Sequence, residues 1–175
     1  ETGMTGAMGL KGGLLSGEIL LNLDTEEDDE IDMGCAGGID VTANRNYQEE
    51  TTPTDKLAFK IAIRGLQGGH SGMDIHKEFG NANKIMNRLL YHGTESVGLR
   101  ISTIDGGSLR NAIPRESFST IVINATEKDR FLLKMKDLIG LIKEEFNTKE
   151  PNLTIDITSS EIPLKIMDLK TQKVF

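Results

Sequence analysis

The sequence has no tryptophan, two tyrosines and six phenylalanines in 175 residues, so aliphatic side chains must build whatever core it has. It has a single cysteine, Cys35, which excludes an internal disulfide framework and a cysteine-based zinc knuckle. One unpaired thiol also fits a reducing compartment, so a cytoplasmic location is expected. No apolar run approaches the roughly 18–20 residues that a membrane-spanning helix needs, and no signal-peptide pattern opens the sequence. Basic residues are the minority, 20 against 27 acidic, for a net charge of -7. That balance argues against nucleic acid and acidic membrane surfaces as partners, since neither rewards a negative protein. Several chemical motifs are missing too: a phosphate-binding glycine loop after a strand, a Gly-x-Ser-x-Gly elbow and a His-Glu-x-x-His helix. The acidic run Glu26–Glu30 lacks the spacing of a calcium loop and reads as a solvated turn.

What is present suits a soluble globular protein: 37% hydrophobic and 27% charged residues, enough for one ordinary domain or two small ones. The chain begins at Glu1 in the middle of a Gly-rich motif and stops at Phe175 without a helix-end signal, so it reads as a piece of a longer polypeptide. Residues 1–17 suggest a loop with a short helix around Thr5–Leu10, and Glu18–Asp24 a buried strand. Ile31–Cys35 and Gly38–Thr42 read as two extended pieces broken at Gly37-Gly38. The polar stretch Asn44–Pro53 is the expected domain boundary, giving domains 1–45 and 46–175.

From Thr54 onward the pattern is regular. Lys56–Arg64 alternates with period two, placing Leu57, Phe59, Ile61 and Ile63 on one face. Helical spacing of Phe79, Ala82, Met86, Leu89 and Leu90 predicts a helix over about 78–92. Val97–Ile104 and Glu116–Ala125 alternate again, the latter with either face inward. A second helix follows over 128–147, stopped before Pro151, and Leu153–Thr158 is the last strand. Strand, helix, strand, strand, helix, strand is the order of an α+β ferredoxin-like βαββαβ unit, an antiparallel sheet with two helices on one face. That fold hosts many unrelated activities.

Three constellations could carry chemistry. In Gly68-Gly69-His70-Ser71-Gly72 the glycines allow close approach and expose an imidazole at a loop tip. Such a histidine either donates to a carbonyl oxygen on which charge develops, or is a solvated side chain beside a turn. His76 could join His70 on a metal, and His92 is expected to sit against the negative end of a helix. The run Gly106–Arg115 (GGSLRNAIPR) presents an amide and two guanidinium groups, suited to a carboxylate if they are not merely solvated. Asp24, closing an apolar strand, is either a turn former or a ligand for a divalent cation.

Taken jointly, Glu1–Ala7 (ETGMTGA), Leu21–Asp24, Met33–Gly38 (MGCAGG), the Gly68–Gly72 loop and Gly106–Arg115 resemble the aminoacyl-histidine dipeptidase branch of the M20 metallopeptidases, over almost the whole chain. The resemblance implies a di-zinc catalytic domain, to which residues 1–45 would belong, with an inserted lid domain in 46–175. It implies hydrolysis of Xaa-His dipeptides, zinc as cofactor and a dipeptide substrate; separately, the exposed edge strand of a ferredoxin-like sheet would allow a homodimer. By position, Glu1 and Asp24 match one ligand each for the two zinc ions. His70 matches the lid histidine at the scissile carbonyl, Asn111 the substrate-contacting asparagine, and Arg115 a candidate for the substrate carboxylate. The general-base glutamate, the His-x-Asp segment and a further metal histidine have no counterpart here, so the chain alone is expected to be inert. Competing expectations are another M20 activity (aminoacylase, deacetylase or tripeptidase) and a non-catalytic ferredoxin-like binding or dimerisation module.

Overall fold

The computed structural model describes residues 5–19, 21, 29, 39 and 41–174. The chain divides into two compact units, Glu1–Asn44 and Arg45–Phe175. In the first, the short helix is α1, Thr5–Met8, closed by Gly9 N–H donating to Thr5 O at 3.0 Å. The strand expected at 18–24 is not found at its described positions: Glu18, Ile19 and Leu21 lie in no strand, and Ile19 is 82% exposed. An apolar run becomes a buried strand only when a neighbour pairs with it, and none does so among the described residues of this unit. The same holds for Ile39, Val41 and Thr42 of the expected piece 38–42. The piece 31–35 lies outside the described residues.

The second unit contains β1 (Glu49–Thr51), β2 (Lys56–Arg64), α2 (Ala82–Val97), β3 (Arg100–Gly106), β4 (Ser117–Asn124), α3 (Lys128–Phe146), β5 (Thr154–Ser160), β6 (Lys165–Met167) and α4 (Leu169–Val174). Four strands form one sheet in the order β3-β4-β2-β5, with every pair antiparallel. This is the expected ferredoxin-like topology. The alternation in β2 works as read. Phe59, Ile61 and Ile63 are buried and meet Ile121 and Ile123 of β4 beneath Met86 and Leu89 of α2 and Phe131, Met135 and Ile142 of α3. Phe59 and Phe131 tie sheet to helix, their ring centroids 5.3 Å apart. In β4 the inward face is the one carrying Ile121 and Ile123; Val122, on the other face, is buried instead against Ala58 and Ile166.

Helix α2 starts and ends later than its apolar spacing predicts. Asn81 caps it, its side chain accepting from the N–H groups of Asn83 (3.0 Å) and Lys84 (3.2 Å), so Phe79 falls in the preceding loop. Gly93 does not stop the helix; it is a packing site within it. A Cβ there would stand 2.5 Å from the Leu99 side chain. The stop is Gly98, in the left-handed conformation at φ 66°. Val97 is therefore helical rather than the first strand residue, and His92 is exposed within the helix, not at its end.

Three elements escaped the periodicity reading. The three-residue strands β1 and β6 pair with each other, and α4 follows directly. Together they cover the outer edge of β3. Arg100 donates to Met167 O at 2.6 Å and Ser102 Oγ to Lys165 O at 2.7 Å. Gln172, 8% exposed, accepts from Ile101 N–H at 3.0 Å and donates to Leu99 O at 2.8 Å. Its side chain thus takes up edge-strand groups that would otherwise seek another strand. No helix among the described residues is long and apolar enough to cross a membrane.

Candidate functional site

Two loops at one end of the sheet carry the residues singled out above. The first, between β2 and α2, holds His70; the second, between β3 and β4, holds Asn111 and Arg115. They are joined main chain to main chain. His70 and Ala112 form an isolated antiparallel bridge, with Ser71 N–H donating to Asn111 O at 2.9 Å and Ile113 N–H donating to Gly69 O at 2.8 Å. Residues distant in sequence are thereby fixed side by side.

The glycines make the approach possible. Gly68 and Gly69 have φ of 71° and 148°, backbone that L side chains rarely adopt. A Cβ on Gly68 would also lie 2.3 Å from Arg115 Cγ. The Arg115 stem occupies that space, and its Nε donates to Leu66 O at 3.4 Å. Arg115 therefore braces the histidine loop, and it also lines an open cavity of about 490 Å³ with Gly107, Leu109, Ala112, Pro114 and Phe118. Beside that cavity the Arg64 guanidinium lies 4.9 Å from the centre of the Phe118 ring. Asn111 is exposed and contributes its main-chain oxygen to the bridge.

His70 is exposed, yet its ring is held. Nδ1 accepts from the N–H groups of Gly72 (3.1 Å) and Met73 (3.2 Å). With that lone pair engaged, the neutral ring carries its proton on Nε2, which faces away from these contacts as a donor. Beneath it, Asp74 accepts from His70 N–H at 2.7 Å and from Lys77 Nζ at 2.7 Å. The Lys77 hydrogen bond, then the His70 main-chain one, holds the Asp74 carboxyl below its ordinary value. Periodicity could not disclose this turn, because Asp74 and Lys77 are unremarkable until the loop closes on itself.

The metal expectations fare differently. Glu1 and Asp24 lie outside the described residues. Among those described, no group of three or more His, Cys, Asp or Glu side chains could hold a metal ion. His76 sits exposed on a 3-10 turn, Ile75–Lys77, and belongs to no such group. The described residues alone do not fit a zinc centre.

Comparison with known proteins accords with this fold. A family model described as a peptidase dimerisation domain, of the M20 group, matches residues 61–154. The cytosol non-specific dipeptidase of Escherichia coli is 45% identical over 159 residues, covering 91% of this chain and 33% of that protein. The crystal structure of aminoacylhistidine dipeptidase from Vibrio alginolyticus superposes with a TM-score of 0.73 at 38% identity, covering 99% of this chain and 35% of that one. The chain thus spans about a third of the length of these relatives. With the matched region running from the middle of β2 to the start of β5, the chain belongs to the M20 peptidase dimerisation domain family.

Proposed function

We propose that this chain is the histidine-bearing part of a dipeptidase, and that the whole protein hydrolyses dipeptides, Xaa-His among them. Residues 46–175 act as the lid and 1–45 belong to the catalytic domain. The observation that carries the reading is the His70 loop. A ring fixed through Nδ1 and carrying an Nε2 proton is prepared to donate to a carbonyl oxygen as it gains negative charge. Asn111, locked next to it, contacts the substrate main chain, and Arg115 at the cavity wall receives the substrate carboxylate. Zinc is the cofactor we assign to the whole protein, with Glu1 and Asp24 as ligands. The rest of the coordination comes from chain beyond this sequence, so the 175 residues alone are inert.

Substrate breadth is a separate matter, because one relative's name specifies aminoacyl-histidine and the other is called non-specific. The family's description as a dimerisation domain supports a second copy of the protein as partner. The name of the bacterial relative supports a cytoplasmic location. The test is hydrolysis by the whole protein of Xaa-His dipeptides, of dipeptides lacking histidine and of acylated amino acids, with and without a chelator. Chelator-sensitive cleavage of dipeptides supports the reading, and cleavage restricted to acyl-amino acids overturns the substrate. No cleavage of any of them overturns the enzyme and favours a binding module.

A further inference from the structure

The loop that carries His70 leaves β2 at Gly65 and enters α2 at Asn81, and both ends of it are held by one buried side chain. Glu150 is 2% exposed, in the connection between α3 and β5. One carboxylate oxygen accepts from Gln67 N–H at 2.7 Å and the other from Gly80 N–H at 2.7 Å. Gly80 has no room for a side chain, since a Cβ would meet Leu66 at 2.7 Å and Glu150 itself at 3.2 Å. Neighbouring groups repeat the tie. Lys149 Nζ donates to Lys77 O at 2.7 Å and to Glu78 at 3.0 Å, and the Gln67 side chain donates to Lys149 O. Glu150 is itself fixed, its N–H donating to Phe146 O at 2.7 Å and its carbonyl accepting from Leu153 N–H at 3.0 Å.

We propose that Glu150 is a positioning residue for His70: by binding one main-chain N–H near each end of the loop, those of Gln67 and Gly80, its carboxylate sets where the imidazole stands. The inference rests on the reading of His70 as the oxyanion donor. A core placement suffices to bury an apolar side chain, whereas burying a carboxylate is unfavourable unless its oxygens are well bonded. Charge-assisted bonds to main-chain N–H groups meet that condition and are stronger than neutral ones. Their geometric effect is specific. With the neck fixed at Gln67 and Gly80 and the tip fixed at Ala112, the register of His70 against the Asn111 loop has little freedom. A displacement of about 1 Å at a reacting group lowers rate by up to about 100-fold.

The experiment is a double-mutant cycle in the whole dipeptidase, with Glu150→Gln and His70→Ala singly and together. The glutamine turns one acceptor into a donor facing a main-chain N–H, at nearly unchanged volume. Glu150→Gln is expected to lower kcat about 10- to 100-fold with KM within about 3-fold. In the His70→Ala background it should lower kcat less than about 2-fold further. Equal losses in both backgrounds would show that Glu150 acts through the general fold and would overturn the proposal. If Glu150→Gln yields no folded protein, Glu150→Asp in the same two backgrounds carries the comparison, because it keeps the charge but is too short to span both N–H groups. The imidazole ¹⁵N spectrum separates this inference from the reading beneath it. If His70→Ala leaves kcat unchanged, the oxyanion role falls. Loss of the Nδ1-acceptor signature in Glu150→Gln would still support positioning, and an unchanged spectrum would overturn it.

Discussion

His70 and Ala112 lie opposite each other in an antiparallel bridge, so the imidazole is held by main-chain bonds as well as by its own ring contacts. The side chain can therefore be removed without dismantling the loop. If the whole protein is the dipeptidase proposed above and His70 its oxyanion donor, His70→Ala is expected to lower kcat by about 10²–10³. Stability should change by no more than about 1 kcal/mol, because the ring is exposed. Steady-state kinetics and denaturant melts on the same preparation check both; a large stability loss would assign the ring to the scaffold.

Three glycines at positive φ should respond to alanine in a graded way. At Gly98 (φ 66°) a Cβ meets open space, so only backbone strain of about 1–2 kcal/mol applies. At Gly68 the Cβ also meets Arg115 Cγ at 2.3 Å, and at Gly65 it meets the Asn152 carbonyl oxygen at 2.0 Å. The expected order of destabilisation is Gly65→Ala, then Gly68→Ala, then Gly98→Ala, read from urea midpoints. Gly68→Ala should in addition raise KM if Arg115 receives the substrate carboxylate. An inverted order would mean that the neighbouring chain moves freely.

Acid should release the His70 turn through Asp74. Its carboxyl is held below the ordinary value of 3.8, chiefly by Lys77 and then by the His70 main chain. A depressed folded value means that the contribution is complete above the ordinary value and is lost as pH falls through the lower, folded one. Asp74→Asn should therefore speed hydrogen exchange at the His70 amide at neutral pH, with mutant and parent converging once the parent carboxyl is protonated. A difference that persists unchanged into strong acid would rule out the carboxylate as the cause.

Gln172→Ala leaves Ile101 N–H and Leu99 O without their side-chain partner at the sheet edge. The expected loss is about 1–3 kcal/mol. Freed edge groups also favour pairing with another chain, so sedimentation should show more self-association. Stability and association unchanged together would mean that water replaces the glutamine without penalty.

Period-two and helical spacing disclosed the β2–β5 sheet and both long helices because each element has a face committed to one core. Lys56–Arg64 is the clearest case, read to the residue. Spacing failed where a glycine had another use: Gly93 gives room to the Leu99 side chain within the helix, and Gly98, in the left-handed conformation, ends α2. It failed again for β1 and β6, three residues each, which are strands because they pair with each other and not by any pattern of their own. In the site, the loop glycines and His70 were visible in the sequence. Asp74, Lys77 and Glu150 were not, since their roles exist only once the loop has folded back upon them.

The strand order β3-β4-β2-β5 places the earliest strand of the four between two later ones. During synthesis, when the N-terminal part emerges first, β2 must wait for β4 on one side and for β5 on the other. Neither neighbour is local in sequence, so loop closure precedes most of the reward and folding is slowed relative to a chain of hairpins. A nascent chain arrested before Thr154 would carry Lys56–Arg64 with one side of its main chain bare, and the central strand of the finished sheet would be the adhesive edge of the unfinished one.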